Sequence, residues 1–238
     1  MKTPDSRFFI PEISVGNFTL DENESTHAVR VCRAAIGDIL QLSDGKGHYA
    51  DAIITKADAK ACEVRIDKFE TAEGPAPHIN LAIACLKDDA LEEVVFHAAQ
   101  TEIGTITFLR TEFSQEPKNS DLNKLVRRSE LKSLVSLKQS KKPWLTKIEG
   151  PVEFSEWLSR YEGDLILCDV DGKKGLEADV TAGNKPLTLL VGPEGGFSPK
   201  EIATIKAFTK GKVHLLNLGN TRLRARTAAI IALGKVVC

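Results

Sequence analysis

The sequence predicts an α/β protein in two parts: a small strand-rich unit over residues 1–72, and a larger domain over residues 73–238 built on a mostly parallel sheet. Three observations carry that prediction. From Ile79 onward, short apolar runs alternate with helical patterns, the rhythm of strands covered by helices on both faces. Before residue 72, apolar residues alternate singly on both sides of an Asp-Gly pair, as a hairpin requires. Between these regions TAEGPAPHIN (71–80) sets Gly74, Pro75 and Pro77 among weak structure formers, which makes it the linker candidate.

In chain order, RFFI (7–10) and NFTL (17–20) read as short strands. Asp21-Glu-Asn-Glu24 has the spacing of a capping box and opens a helix that runs to about Ala35, where Gly37 ends it. DILQLSDGKGHYADAIITKA is a hairpin turning at Asp44-Gly45, and ACEVRIDKFE (61–70) is a further strand. In the second part, INLAIACL is a strand, and residues 89–102 place Leu91, Val94, Val95 and Ala98 on one helical face. The runs TITFL, PWLTKI, DLILCDV, LTLLV and VHLLNL supply the remaining strands.

The bulk numbers suit a soluble globular chain. Of its 238 residues 42% are hydrophobic and 27% charged, and 32 Lys+Arg against 33 Asp+Glu leave a net charge of -1, so any nucleic-acid binding needs a local basic patch. The five cysteines (Cys32, Cys62, Cys85, Cys168, Cys238) form no CxxC pair and have no histidine at ligand spacing. They read as reduced and mostly buried in a cytoplasmic protein without a metal site. The N-terminus lacks the apolar core of a signal peptide, and no run reaches the roughly 18 apolar residues of a membrane helix. His27 precedes Arg30 by one helical turn, His48, His78, His97 and His214 each stand alone, and none is assigned to catalysis.

Two stretches carry the candidate chemistry. In LTLLVGPEGGFSPKEI (187–202) a strand gives way to Gly192-Pro-Glu-Gly-Gly196 and then to a sharp helix start. Ser198 is the cap, Pro199 sits at N1, Glu201 reaches back, and Phe197 with Ile202 forms a hydrophobic staple. These glycines either shape a tight crossover or let backbone approach a flat ligand at the carboxyl end of a strand. Neither phosphate-loop spacing is present, and Glu194 would repel a pyrophosphate, so a cationic or neutral ligand fits better. In LNLGNTRLRARTAAIIALG (216–234) a Gly219-Asn220 turn leads through Arg222, Arg224 and Arg226 into a helix that is apolar nearly all round. Such a helix needs cover from the core or a second subunit, which suggests a homodimer. Arginines at the positive end of a helix dipole suggest an anionic partner.

VGPEGGFSPKE and LGNTRLRARTAA together resemble the signature of the ribosomal RNA small subunit methyltransferase E family, uridine-N3 methyltransferases of the SPOUT class. The resemblance extends to RFFIPE, THAVRVCR, GDILQLSDGKG, TEIGTITFL and KQSKK. It implies a PUA-like N-terminal β-barrel domain that binds RNA, a C-terminal SPOUT-type α/β domain tied in a trefoil knot, an S-adenosylmethionine cofactor and a dimer. By the same resemblance the cofactor meets Val191, Gly192, Pro193, Glu194, Gly195 and Gly196 on one side. On the other it meets Leu216, Asn217, Leu218, Gly219, Leu223, Arg224 and Thr227. The substrate would be 16S ribosomal RNA, free or in the small subunit.

Methylation at uridine N3 requires in-line geometry and loss of the N3 proton. A guanidinium near O2 or O4 would stabilise the charge that develops, and Arg224 is the candidate. For RNA contact the candidates are Arg7, Arg30 and Arg33, and the run Lys124, Arg127, Arg128, Lys132, Lys138, Lys141 and Lys142, read either as a phosphate-binding track or as a solvated helix face. The chain departs from the family pattern at Arg226, where an acid is expected, at Glu92 and Ala99, where basic residues are usual, and near Val135, where an acid is expected. A protein that keeps fold and RNA binding without catalysis is the alternative.

Overall fold

The computed structural model describes residues 3–74, 79–86, 89–115, 122–175, 180 and 185–237. It divides into two compact units, Met1–Gly74 with Val135–Leu145, and Pro75–Leu134 with Thr146–Cys238. The linker core at 75–78 and Cys238 lie outside the described residues.

The first unit is a sheet in the order β1-β3-β4-β5-β2, from β1 (Phe8–Phe9), β2 (Gly16–Thr19), β3 (Ile39–Ser43), β4 (His48–Lys56) and β5 (Glu63–Ile66), with β6 (Glu70–Thr71) on β4. The expected hairpin forms, Ser43 opposite Tyr49 and Ile39 opposite Ile53. It closes because the Asp44 carboxylate accepts from Lys46 N at 2.7 Å and from His48 N at 3.1 Å. Alternate residues point inward, so Leu40, Leu42, Ala52, Ile54, Val64 and Ile66 are buried with Phe8. The segment Val135–Leu145 belongs to this unit through its backbone: Arg7 N donates to Lys138 O at 2.9 Å and Leu145 N to Gly45 O at 2.8 Å.

The helix of this unit departs from expectation. Asp21 caps α1 (Glu22–Thr26) by accepting from Glu24 N at 2.8 Å, but Glu24 does not complete the box. Its carboxylate turns instead to Lys138 Nζ, and it is only 6% exposed. The helix then widens into a π turn over His27–Val31 and stops well short of Ala35, reversed by a left-handed residue at Arg33, φ 53°.

In the second unit every strand pairing among the described residues is parallel: β7 (Ile79–Ala84), β8 (Thr105–Arg110), β9 (Lys147–Glu153), β10 (Asp164–Lys173), β11 (Leu187–Val191) and β12 (Val213–Leu216) lie in the order β12-β10-β11-β7-β8-β9. Both faces are covered, as the sequence predicted. Leu81, Ile83, Leu189 and Val191 pack on one side with α2 (Ala90–Ala98) and α6 (Ala225–Val237). Ala82, Leu165, Leu167 and Leu190 pack on the other with α4 (Phe154–Arg160) and α5 (Pro199–Lys206). The long helix α3 (Leu122–Ser140) follows β8.

Helix α6 is not enclosed all round. Ala225, Ala229, Ala232, Leu233 and Val236 are buried on one stripe, whereas Thr227, Ile231, Gly234 and Lys235 are exposed. Among the described cysteines, Cys62 and Cys85 are buried, Cys32 and Cys168 partly so, and all are free thiols.

Candidate functional site

Parallel strands open all their carboxyl ends on one edge of the sheet, and the loops leaving them meet there. The loops after β7, β8, β11 and β12 build the site.

The loop after β11 follows a wholly buried strand. A Cβ at Gly192 would lie 3.0 Å from Phe197 N and 3.1 Å from Gly196 C, so only glycine leaves the backbone undisturbed. Gly196 turns the chain at φ 74° and donates its N–H to Pro193 O at 2.8 Å. Helix α5 then starts on a reciprocal cap. Ser198 Oγ accepts from Glu201 N at 3.3 Å, and Glu201 Oε2 accepts from Ser198 N at 2.8 Å. Phe197 and Ile202 join the same apolar cluster, as the staple requires. The second carboxylate oxygen of Glu201 accepts from Glu112 N at 2.9 Å, which fastens the loop after β8 to the same helix start.

After β12, Asn217 N donates to Lys173 O at 2.8 Å, and Asn217 Oδ1 accepts from Gly219 N at 2.7 Å. The chain turns at Gly219, φ 131°, and passes through Arg222 and Arg224 into α6, whose first turn includes Ala228 N donating to Arg224 O at 2.9 Å. The two bends are neighbours: Arg222 Nη2 reaches Glu194 O at 3.5 Å, a long hydrogen bond.

Beside them lies a cleft of about 390 Å³ lined by Asp89, Ala90, Glu93, Gln115, Glu194, Arg224 and Arg226. Its size falls within the range of small-molecule sites. Its walls carry both signs of charge. Arg226 Nη1 is 2.7 Å from Glu93 Oε2, so the arginine finds its anion within the protein. Arg224 is exposed and makes no ion pair among the described residues. On the neighbouring strand β10, burial pushes the Cys168 thiol up to about 12, which removes it as a nucleophile at neutral pH.

The expected cofactor residues separate by burial. Val191, Pro193 and Leu216 are buried and shape the loops from below. Gly192, Gly196, Asn217, Leu218 and Leu223 are partly buried, whereas Glu194, Gly195, Gly219, Arg224 and Thr227 are exposed. Of all these, Glu194 and Arg224 line the cleft. Asp89, Glu93 and Gln115 had no motif to announce them. Their only signal was a place in the loop after a strand, for Asp89 and Gln115, or in the first turn of the helix that follows, for Glu93, and that becomes informative once the strand order is known.

The basic candidates separate in the same way. Arg7 is committed to the first unit, its guanidinium 4.7 Å over the Tyr49 ring. Lys138 is paired with Glu24, Lys141 with Asp5 at 3.1 Å, and Arg128 with Glu92 at 3.5 Å. Arg30, Arg33, Lys124, Arg127 and Lys132 are exposed, and Lys142 is partly buried.

Residues 72–237 match the family model of an RNA methyltransferase domain, and residues 20–67 that of an RNA methyltransferase PUA domain. The ribosomal RNA small subunit methyltransferase E of Mycobacterium bovis is 28% identical over 226 residues, 91% of this chain and 84% of that protein. The crystal structure of the ribosomal RNA small subunit methyltransferase E from Neisseria gonorrhoeae bound to S-adenosyl methionine shares the fold, with TM-score 0.83 at 21% identity over 96% of this chain and 95% of that one. A methyltransferase from Legionella pneumophila in complex with the same cofactor gives TM-score 0.79 at 26% identity, with 96% and 95% covered.

Proposed function

Because this chain belongs to the RNA methyltransferase family, we propose that it is an S-adenosylmethionine-dependent enzyme that methylates N3 of a uridine in the 16S RNA of the small ribosomal subunit. The observation that carries this reading is the meeting of Arg222 with Glu194, which sets the two glycine-bearing bends side by side along one cleft.

The residues present fit the cofactor. At Gly192 a Cβ would press on the loop's own main chain, and Gly196 holds a positive φ, so glycine at both positions shapes the tight bend that sets Glu194 on the cleft wall. The exposed carboxylate of Glu194 suits a cation and would disfavour a polyphosphate. Val191 to Gly196 and Leu216 to Gly219, with Leu223, Arg224 and Thr227, are the residues that would hold the cofactor. When bound, S-adenosylmethionine supplies a methyl group on a cationic sulfur, open to in-line attack.

Arg224 carries the electrostatic part of the reaction. As uridine N3 gives up its proton to solvent water, negative charge spreads to O2 and O4, and a guanidinium donor would stabilise it until N3 takes the methyl group and leaves the sulfonium as a neutral thioether. Arg226, already engaged by Glu93, is less available for that role. The loops contribute positioning, which converts a bimolecular encounter into an oriented one.

For RNA the first unit supplies the platform, a reading supported by the PUA-domain match over residues 20–67. Exposed Arg30 and Arg33, with the partly buried Lys142, are its phosphate contacts, and exposed Lys124 and Arg127 are separate phosphate contacts of the second unit. The outer face of α6, with Ile231 38% exposed, is the surface for a homodimer. The trefoil knot is carried by the resemblance, and the working compartment is the cytoplasm.

Titration calorimetry with S-adenosylmethionine and mapping of N3-methyluridine in ribosomal RNA from cells lacking the protein test the proposal. The expected results are a saturable heat and the loss of one modified uridine. No heat at millimolar cofactor would leave a non-catalytic RNA-binding protein, and an unchanged uridine map would remove the assigned reaction.

A further inference from the structure

In the second unit one aromatic side chain stands apart. Phe113 is 43% exposed, and every other described aromatic there is more buried. It lies in the loop after β8, one position from the backbone that Glu201 anchors and two from Gln115, which lines the cleft. Its Cβ would be only 3.3 Å from a Cβ placed on Gly195, so the bare glycine loop is its seat.

The exposure is built rather than frayed. Among the described residues, the backbone is tied just before and just after Phe113. Glu112 N donates to Glu201 Oε1 at 2.9 Å, Ser114 N to Thr111 O at 3.1 Å and Gln115 N to Cys85 O at 3.1 Å. Ser114 Oγ also donates to Thr111 O at 2.9 Å. An apolar ring held in water by a loop with this much fixed geometry forgoes the burial that a looser loop would give it.

We propose that Phe113 is the stacking platform for the target base, and this inference rests on the methyl-transfer reading above. An enzyme that modifies a base edge must take the base out of its stack, and it replaces the lost stacking with an aromatic face. The neighbouring cleft suits the edge of that base. Uracil presents one N–H donor between two carbonyl acceptors, and Asp89, Glu93, Gln115, Glu194 and Arg224 offer acceptors and donors together. An apolar anchor from a protein partner would find no comparable match in such charged walls. Phe113 is thus a positioning residue that touches substrate through its ring, and it takes no part in proton or methyl transfer.

The test compares Phe113→Leu with Phe113→Trp, the first removing the π face and the second keeping it. Small ribosomal subunits serve as substrate and S-adenosylmethionine as methyl donor. Stacking of one base is worth about 1–3 kcal/mol, so Phe113→Leu should raise KM for subunits, and their dissociation constant in cosedimentation, by roughly 5- to 150-fold. The Phe113→Trp variant should restore both to within a few-fold of the parent. Cofactor affinity by calorimetry, thermal midpoint and sedimentation coefficient should not move. Unchanged KM and subunit binding in Phe113→Leu would overturn the stacking role while leaving the methyltransferase reading intact. A loss confined to cofactor affinity, or an altered oligomeric state, would overturn it equally, by making Phe113 a cofactor or subunit contact. If the parent protein itself neither binds cofactor nor methylates subunits, the underlying reading fails instead.

Discussion

Glu93 and Arg226 are 133 positions apart in the chain, and their side chains meet at 2.7 Å on the wall of the cleft. The arginine that departs from the resembled motif is therefore balanced by an acid from α2, and the pair ties the start of α6 to the helix it packs against. Both groups are a little under half exposed, so their coupling is small, about 0.5 kcal/mol. Arg226→Glu would add a carboxylate to a wall that already holds Asp89, Glu93 and Glu194, and it should destabilise by more than the lost pair. Adding Glu93→Arg should recover most of that loss, as read from a double-mutant cycle in urea.

The glycine loop makes a graded prediction. Gly192→Ala drives a Cβ against main chain, and Gly196→Ala forces a side chain into positive φ at a cost of about 1 kcal/mol. Both should weaken cofactor binding about tenfold or more in calorimetry, because the loop must move to accept them. Gly175→Ala meets nothing within 4 Å and serves as the neutral control.

The cap of α5 holds more than its own helix. Ser198→Ala removes one acceptor and should cost about 1 kcal/mol in chemical denaturation. Glu201→Ala should cost more, because its carboxylate accepts from both Ser198 N and Glu112 N. It should also loosen the loop that carries Phe113, seen as faster amide exchange at Glu112.

Lys138 and Lys124 should behave as different kinds of lysine. Lys138→Met leaves the carboxylate of Glu24, which is 6% exposed, without its cation, and should destabilise by about 3 kcal/mol. Lys124→Ala and Arg127→Ala remove exposed charge and should leave stability within about 0.5 kcal/mol, while weakening RNA binding and flattening its salt dependence. Thermal unfolding beside filter binding at two salt concentrations separates the classes.

Alkaline pH should destabilise the protein through two partly buried acids. Burial raises the Cys168 thiol from 9.0 to about 12 and the Tyr161 phenol from 10.0 to about 12. Between pH 9 and 12 the unfolded chain therefore releases protons that the native state retains, so ΔG of unfolding must fall as pH rises across that window. Below pH 9 both groups are protonated in either state, and their contribution is flat. Cys168→Ala and Tyr161→Phe should each make the alkaline slope shallower in denaturant titrations at stepped pH.

Local chemistry was readable wherever a feature closes on its own neighbours. The Asp44 turn and the Ser198 cap complete themselves within a few residues, and both form as the spacing required. The capping box of α1 fails for the opposite reason. Its Glu24, expected to reach back to the cap, is drawn to Lys138, which is 114 positions away. The basic run was legible only as a run, because Lys138, Lys141 and Arg128 look alike in sequence until their acids are placed beside them.

From composition and periodicity alone came the parallel α/β character, the strand-rich first unit, the glycine bends and the arginine that precedes α6. Those properties are local, since each depends on the spacing of a few residues along one segment. Folding in three dimensions settled which loops share an edge, that Asp89, Glu93 and Gln115 join Glu194 and Arg224, and that Phe113 rests on Gly195. Strand order fixes those meetings, and that order arises from burying both faces of the sheet at once, a balance summed over the whole core rather than written in any one stretch.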